Sequence, residues 1–272
     1  MTLSIVIPVL DEADRLETLL AELARECPGA EVVVADGGSR DGSAGIAARA
    51  PGARLVSSER GRARQMNAGA AAATGEILLF LHADTRLPAG AVDAVRRALA
   101  DPAVAYGRFD IRFDHPGIAF RLIAALMNFR SGLTGICTGD QAIFVRRARF
   151  ERLGGYPEIP LMEDIELTRR LKRAGRLAPL GLRVTTSARR WERDGVARTI
   201  ILMWTLRFLH LCGVDPARLG RWYYGAPPGN EPDGRVSSGG ASRRGDAPRA
   251  SAATGSSPRH GSPGAPPAPR VG

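Results

Sequence analysis

Two acidic segments of the sequence follow different structural signals, and their side chains can act on one substrate. Asp84 follows the apolar run 77–81, whereas Glu163 and Asp164 stand at the start of a helical pattern. The first arrangement places a lone carboxylate at the carboxyl end of a strand, where open α/β sheets bind ligands. The second places carboxylates at a helix N-terminus, where the helix dipole favours negative charge. Together they predict one cation site and one base.

Asp84 and His82 are the candidate metal ligands. A carboxylate at the tip of a buried strand is costly unless it meets a metal ion or hydrogen-bond donors. Mg²⁺ or Mn²⁺ prefers oxygen ligands and shares substrate phosphates, so one Asp from the protein can serve. His82 has two interpretations of equal weight. It is a second ligand, direct or through water, or a half-buried histidine bonded to backbone.

Glu163 and Asp164 are the candidate catalytic residues, although helix carboxylates stabilised by the dipole are the simpler alternative. Pro157 and Pro160 make the preceding segment an irregular loop, which places the carboxylates at its rim. Glycines at 154–155 indicate a backbone held close to another group.

Two loops after predicted strands carry candidate nucleoside ligands. Glu12 can accept hydrogen bonds from a base or ribose, although an N-cap role for the pair Asp11 and Glu12 is the safer interpretation when taken alone. Asp36 opens a Gly-rich turn and can bind the N–H of a uracil-like base. A plain turn followed by a helix cap explains its composition equally well.

Basic and amide side chains at helix starts are the candidate phosphate ligands. Arg62 can meet a diphosphate with help from the helix dipole, and Asn67 lies one turn further on. Arg190 and Trp191 can add a phosphate clamp. For the arginines, a solvated surface is the commoner alternative.

Alternating strand and helix patterns predict an α/β fold with a mainly parallel sheet, which positions these residues. Strands are predicted over 4–9, 31–35, 54–56, 76–81, 104–113, 141–145 and 177–186. Helices are predicted over 13–26, 43–50, 62–73, 88–100, 118–129, 165–174 and 196–212.

Composition divides the chain of 272 residues in two. From 226 to 272 the chain is mostly Pro, Gly, Ser, Ala and Arg, and Val236 and Val271 are its only large aliphatic residues. Such a segment cannot bury enough apolar surface to fold. We therefore predict one domain, 1–225, and a disordered tail, 226–272.

The net charge of +10 raises the question of nucleic acid as a partner. No basic run alternates with aromatic residues in the way that single-strand binders need, so nucleic acid is not expected. The three cysteines have no metal-ligand spacing, and residues 3–10 are too short for a signal peptide. These features predict a reduced, cytoplasmic protein.

The predicted helix 196–212 is strongly apolar and is interrupted by Arg207 and His210. Trp204 and its arginines suit a helix lying in a membrane interface, which predicts peripheral contact with the inner face of the cell membrane. The helix is shorter than the roughly 20 apolar residues that span a bilayer. A core helix or a homodimer helix has equal weight, and 118–129 can join the same surface.

In order and spacing, residues 3–191 resemble family 2 glycosyltransferases of the GT-A fold. The matching motifs are Pro-x-x-Asp-Glu, Asp-Gly-Gly-Ser-x-Asp-Gly-Ser, Gly-x-Ala-x-x-x-Asn-x-Gly, Leu-His-Ala-Asp and a helix-starting Glu-Asp. The segments 81–85 and 139–141 are similar to a bacterial subgroup associated with arsenosugar biosynthesis, and to transferases that glucosylate carotenoid acids.

The resemblance implies a mixed, mainly parallel sheet flanked by helices, with a Rossmann-like nucleotide-sugar half at about 1–100 and an acceptor half at about 101–225. It implies a nucleotide-diphosphate sugar donor, a Mg²⁺ or Mn²⁺ ion, and inverting transfer to the hydroxyl of a small-molecule or lipid-like acceptor. The usual metal motif of the family has two or three acidic residues, and here it keeps only Asp84.

The resemblance also implies roles for individual residues. Glu12 and Asp36 would hold the nucleoside, and Asp84 would bind the metal ion on the diphosphate. Asp164 would be the general base. Asp140 would lie near the sugar or the acceptor, together with the adjacent Gln141.

Two other classes of function remain as alternatives. A nucleotidyltransferase usually has a basic Gly-rich loop directly after its first strand, whereas here residues 8–12 are acidic. A non-catalytic nucleotide-sugar binder would not need Asp164, so a transfer assay distinguishes it.

Overall fold

A single mixed sheet of eight strands forms the centre of the computed structural model, which describes residues 1–224. The strands are β1 Leu3–Val9, β2 Glu31–Asp36, β3 Ala53–Ser57, β4 Ile77–Phe80, β5 Thr85–Arg86, β6 Val104–Phe113, β7 Phe144–Arg146 and β8 Arg176–Thr186. Their order in the sheet is β3-β2-β1-β4-β7-β6-β8-β5. The predicted α/β class is therefore confirmed.

Helices cover both faces of the sheet. They are α1 Ala13–Glu26, α2 Ser43–Arg49, α3 Arg62–Ala72, α4 Ala91–Ala98, α5 Ile118–Thr134, α6 Arg147–Arg152, α7 Glu163–Ala174, α8 Arg189–Asp194, α9 Val196–Leu211 and α10 Pro216–Tyr224. Among the helices of the described residues, none combines the length and apolar character that crossing a bilayer requires.

The first four strands are parallel and are joined by helices. Strand β1 pairs in parallel with β2 and β4, and β2 pairs in parallel with β3. The carboxyl ends of β1, β2 and β4 therefore lie at one edge of the sheet, where ligands bind in such folds. This half follows the sequence prediction closely.

On the other side of β4, two strands, β7 and β5, run opposite to the rest of the sheet. Strand β7 is antiparallel to both β4 and β6, whereas β6 and β8 are parallel to each other. The short strand β5 pairs with the end of β8. As a result, the loop after β4 and the end of β8 lie close together.

The two faces of β1 separate two buried apolar layers. Leu3, Ile5 and Ile7 pack with α1, α2 and α4 in one cluster, whereas Val6 packs with α3, α6 and α7 in the other. This alternation follows from the two-residue period of a strand. A third, smaller cluster joins the start of α7 to α9 and α10.

The structure differs from the sequence prediction at three elements. Residues 141–143 do not belong to the strand predicted over 141–145, because Gly139–Gln141 form a 3-10 turn and β7 starts at Phe144. Helices α8 and α10 were not predicted. The tail predicted over 226–272 lies outside the described residues.

Candidate active site

One cleft of about 530 Å³ opens at the carboxyl ends of β1 and β4. Its wall carries five carboxylates from distant parts of the sequence, namely Glu12, Asp84, Asp140, Glu163 and Asp164. Helices α8, α9 and α10 close the opposite side through Trp191, Met203 and Tyr223. The structure thus brings together the candidate cation site and the candidate base.

The loop after β2 supports the loop after β1. The Asp41 carboxylate accepts the backbone N–H of Ala13 (2.8 Å), and the Ser43 hydroxyl accepts that of Glu12 (2.9 Å). These bonds cap the first turn of α1 from outside the helix, because α1 has no capping bond from its own N-cap side chain. The Glu12 carboxylate, paired with Arg15 at 3.2 Å, lies in the cleft wall.

Asp36 lies outside the cleft wall, and its contact with the nucleoside stays a prediction. It is buried, and one of its carboxylate oxygens accepts backbone N–H groups from Gly38 (3.0 Å) and Ser39 (3.2 Å). These bonds form a side-chain turn that ends β2. Asp36 therefore shapes the loop.

Asn67 and Gln141 also bond to the protein, and neither lies in the cleft wall. Asn67 exchanges two hydrogen bonds with the backbone of Tyr156, at 2.8 and 2.9 Å. The glycines at 154–155 were predicted to hold the backbone close to another group. Gly155 lies against the same Asn67 side chain, since a Cβ on Gly155 would be 2.7 Å from Asn67 Oδ1. Gln141 is fully buried and donates to the Ser131 hydroxyl at 2.8 Å. Both side chains therefore have a structural role, and their contact with substrate stays a prediction.

Gln65 is a structural residue of the cleft floor to which the sequence analysis gave no role. It is buried, and its amide nitrogen donates to the carbonyl oxygens of Val9 (2.5 Å) and Ala35 (3.2 Å). It thereby joins α3 to the ends of β1 and β2. A polar residue inside the otherwise small and apolar face of a helix is the sequence signal for such a role.

His82 contacts the turn 139–140. Its Nδ1 lies 3.2 Å from Asp140 Oδ1, and its Nε2 is buried without a hydrogen-bond partner in residues 1–224. A Cβ on Gly139 would overlap the imidazole, so glycine allows this close approach. His82 is thus buried rather than half-buried, and its partner is a carboxylate rather than backbone, so its role as a metal ligand stays a prediction.

Asp140 reaches the cleft with a side chain that is 46% exposed. Its partial burial acts to raise the pKa, but the hydrogen bond from His82 and the charge of Arg62 outweigh it and hold the pKa of Asp140 below its usual range. Asp140 is therefore a carboxylate at neutral pH.

Glu163 and Asp164 are the first two residues of α7 and follow a residue with a strained backbone. Met162, which precedes them, has a φ of 71°, in the left-handed region that non-glycine residues rarely adopt. Asp164 accepts backbone N–H groups from Gly139 (2.9 Å) and Ile165 (2.7 Å), which fix its orientation. Its carboxylate lies in the cleft wall.

Glu163 is the more buried of the two carboxylates, at 5% exposure. Burial and then the charge of Asp164 raise the pKa of Glu163 to about 7, against the opposing effect of Arg62. The guanidinium of Arg62 lies 3.9 Å from Glu163 Oε1, and Arg62 is also part of the cleft wall.

Arg190 and Trp191 lie in the cleft wall, as their predicted contact with substrate requires. The Arg190 guanidinium stacks 4.1 Å above the ring of Tyr223, and Trp191 packs edge-on against Phe113. Burial raises the pKa of the Tyr223 hydroxyl to about 12. The contribution of α10 to the cleft was missed, because this helix was not predicted.

A divalent cation fits the cleft only if the substrate supplies part of its coordination. Within residues 1–224, no three His, Cys, Asp or Glu side chains are grouped so that they hold a metal ion by themselves. Asp84 is half-buried in the cleft wall, and the one protein hydrogen bond to it in the described part of the chain comes from the Thr85 hydroxyl (3.2 Å). Its other oxygen can therefore ligate an ion that also binds phosphate oxygens.

The chain matches a known protein family and is similar to proteins of two mycobacteria. The model of the family described as "Glycosyl transferase family 2" matches residues 4–152. The chain is 36% identical over 168 residues to a PGL/p-HBAD biosynthesis glycosyltransferase of Mycobacterium bovis (strain BCG / Pasteur 1173P2), and equally to one of Mycobacterium tuberculosis (strain ATCC 25177 / H37Ra). Each match covers 56% of this chain and 62% of the relative, so the chain spans about 62% of the length of these relatives.

Solved structures with the same fold include a mannosyltransferase and a synthase. A mannosyltransferase from Pyrobaculum calidifontis, in complex with GDP-Man and Mn²⁺, has a TM-score of 0.58 and 25% identity over 67% of this chain and 56% of its own. Glucosyl-3-phosphoglycerate synthase from Mycobacterium tuberculosis has a TM-score of 0.51 and 22% identity over 67% of this chain and 70% of its own. These similarities confirm the GT-A fold that the motifs imply.

Proposed function

Because the chain belongs to glycosyl transferase family 2, we propose that it transfers a sugar from a nucleotide-diphosphate sugar to an acceptor hydroxyl. The observation that carries this proposal is the cleft itself. It gathers Asp84, from the loop after β4, and Asp164, from the start of α7, in one cavity. A cation ligand and a proton acceptor that face one substrate are what such a transfer requires.

The donor would occupy the side of the cleft formed by β1, α3 and α8. Glu12 is positioned for the nucleoside, whereas the guanidinium groups of Arg62 and Arg190 are positioned for the diphosphate. Trp191 adds an aromatic wall. Asp84 would hold Mg²⁺ or Mn²⁺, and the bound ion would supply positive charge that stabilises the leaving diphosphate. The Mn²⁺ in the mannosyltransferase structure supports this choice of ion.

The reaction inverts the configuration of the anomeric carbon. The acceptor oxygen attacks that carbon, a new carbon–oxygen bond forms, and the bond to the diphosphate oxygen breaks. Asp164 takes the proton of the acceptor hydroxyl, and the nucleoside diphosphate leaves. A general base of this kind contributes roughly 10²–10⁴-fold to the rate. Glu163 lies beside this base, and Asp140 faces the sugar or the acceptor, which is a small molecule or a lipid-like compound.

A thermal-shift screen followed by a turnover assay tests the proposal. UDP-glucose, UDP-N-acetylglucosamine and GDP-mannose are added with and without Mn²⁺, and a ligand that binds the native state raises Tm by mass action. Release of nucleoside diphosphate is then compared between the wild type, Asp164→Asn and a matched control, Asp93→Asn, on the exposed face of α4.

The proposal predicts strongly reduced release by Asp164→Asn and normal release by Asp93→Asn. Wild-type release by Asp164→Asn would defeat the assignment of the base. A raised Tm without any release would instead favour a non-catalytic nucleotide-sugar binder. Formation of pyrophosphate from a nucleoside triphosphate and a sugar phosphate would favour a nucleotidyltransferase.

A further inference from the structure

Helix α5 exposes a row of large apolar side chains to solvent. The row consists of Ile118, Leu122, Leu126, Phe129 and Leu133, which are between 58% and 82% exposed. Their spacing of three or four residues places them on one face of the helix. Single exposed apolar residues are ordinary, but a contiguous row on one helix marks an interaction surface.

Helix α9 exposes a second row of the same kind. It consists of Ile201, Trp204, Phe208 and Leu211, which are between 65% and 76% exposed. Both helices also border the cleft, α5 through Met127 and α9 through Met203 and Trp204. The two apolar rows therefore flank the proposed active site.

The charged residues within the two helices are all basic. Neither α5 nor α9 contains an Asp or a Glu, whereas α5 carries Arg121 and Arg130, and α9 carries Arg198 and Arg207. Arg121 and Arg198 are exposed beside the rows, whereas Arg130 and Arg207 are partly buried, with guanidinium nitrogens enclosed by protein. Cations that flank an apolar stripe match an anionic lipid surface.

A basic cavity of about 650 Å³ adjoins α5 and is separate from the cleft carboxylates. Its charged lining consists of Arg86, Arg112, Asp114, His115, Arg121 and Arg183. Asp114 is the acidic residue of this lining, and its carboxylate already accepts the backbone N–H of Ala188 at 2.7 Å. Arg121 and Arg183 make no ion pair within residues 1–224. The cavity is thus able to receive anionic groups.

We propose that the apolar rows of α5 and α9 and this basic cavity form a docking surface for an anionic membrane. The apolar side chains enter the boundary between headgroups and acyl chains, and the arginines meet lipid phosphates. Helices of this length and composition lie in the plane of the interface. A second copy of the chain fits less well, because a symmetric contact would bring arginines of the same surface against each other.

Vesicle flotation tests the docking surface without any sugar transfer, so its outcome is independent of the proposed enzymatic function. The full chain is mixed with phosphatidylcholine vesicles, or with vesicles that also contain phosphatidylglycerol. We expect flotation with the anionic vesicles, weak flotation with the neutral ones, and a decrease on addition of salt because salt screens the arginines.

Two double variants separate the apolar from the electrostatic contribution. Leu122→Glu with Phe129→Glu should abolish flotation, whereas Arg121→Glu with Arg183→Glu should weaken partitioning by at least about fivefold for each position, because each change removes a cation and adds an anion. The matched control, Arg25→Glu with Arg97→Glu, makes the same charge change on α1 and α4 and should float like the wild type. Circular dichroism verifies that each variant is folded.

Three results would overturn the proposal. The first is a wild-type protein that stays soluble with both kinds of vesicle. The second is flotation that the α5 variants leave unchanged, or that the Arg25 and Arg97 control loses equally. The third is a solution dimer, seen by light scattering, that dissociates with Phe129→Glu while the wild type does not float. The last result would assign the surface to a second copy of the chain.

Discussion

Replacement of Glu163 by glutamine is expected to remove a pH dependence from the stability of the fold. The Glu163 side chain is 5% exposed at the start of α7. Burial and the neighbouring Asp164 raise its pKa from 4.5 to about 7, although the guanidinium of Arg62 lies 3.9 Å away. The folded protein therefore binds this proton more tightly than the unfolded chain does.

The sign and size of the effect follow from this difference in pKa. Between about pH 4.5 and about pH 7, the folded state binds more protons than the unfolded state, so the free energy of unfolding falls as pH rises. At about 1.4 kcal/mol per pKa unit, a shift from 4.5 to about 7 costs about 3 kcal/mol above neutral pH. Glutamine carries no such proton, so Glu163→Gln should gain about this amount relative to wild type as pH rises through the window.

Denaturant unfolding at a series of pH values measures the effect. The quantity to follow is the free energy of unfolding of Glu163→Gln minus that of the wild type. Carboxyls with lowered pKa values, such as Glu31 and Asp140, titrate below this window and cancel in the difference. Asp93→Asn, on the exposed face of α4, is the control, and its difference in unfolding free energy from the wild type should not change with pH in this window. A flat difference for Glu163→Gln as well would refute the reasoning, because it would mean that Glu163 ionises as it does in water.

Three further changes test how the cleft is held. Gly139→Ala adds a methyl group against the imidazole of His82. We expect a loss of about 1–3 kcal/mol in the free energy of unfolding and a raised KM for the donor. An unchanged stability would contradict the close packing of Gly139 and His82. Asn67→Ala removes two hydrogen bonds to the backbone of Tyr156. It should lower the free energy of unfolding by about 1–3 kcal/mol, measured with denaturant, and leave the KM for the donor constant. A raised KM with normal stability would instead show that Asn67 contacts the donor. Asp84→Ala should abolish the extra rise in Tm that Mn²⁺ adds to UDP or GDP binding; retention of that rise would exclude Asp84 as the metal ligand.

The first half of the fold could be predicted from sequence because its signals are local. Each of β1, β2 and β4 is a short, mostly apolar run, and a helix lies further along the chain before the next long strand. Parallel strands joined by helices repeat this signal, and their carboxyl ends are then placed at one edge of the sheet by topology alone. The positions of Glu12 and Asp84 in the cleft wall follow directly.

The second half depends on contacts that no local pattern encodes. Strand β7 has only three residues, and its antiparallel pairing with β4 and β6 is set by tertiary packing. Helix α10 packs its buried Leu219 against the start of α7 and against α9, and it brings Tyr223 over Arg190. Short elements held by distant partners are where pattern reasoning fails.

Two of the residues predicted as ligands bond to the protein itself. Asp36 and Asn67 have the side chains of ligands and occupy matching motifs, yet each bonds two backbone groups of the protein. Residue type and spacing predict that a polar group must be satisfied, but not whether backbone or substrate satisfies it.

Asp84 stands at the other extreme, because one of its oxygens remains free of protein donors in the described residues and it borders the cleft. Asp164 lies between these cases. Two backbone N–H groups hold its carboxylate, but each oxygen has a second lone pair that can still face the cleft. Those two bonds fix the orientation of the Asp164 carboxylate. A polar group in the cleft wall that can still accept a hydrogen bond or bind a metal ion is therefore a better guide to function than the motif that contains it.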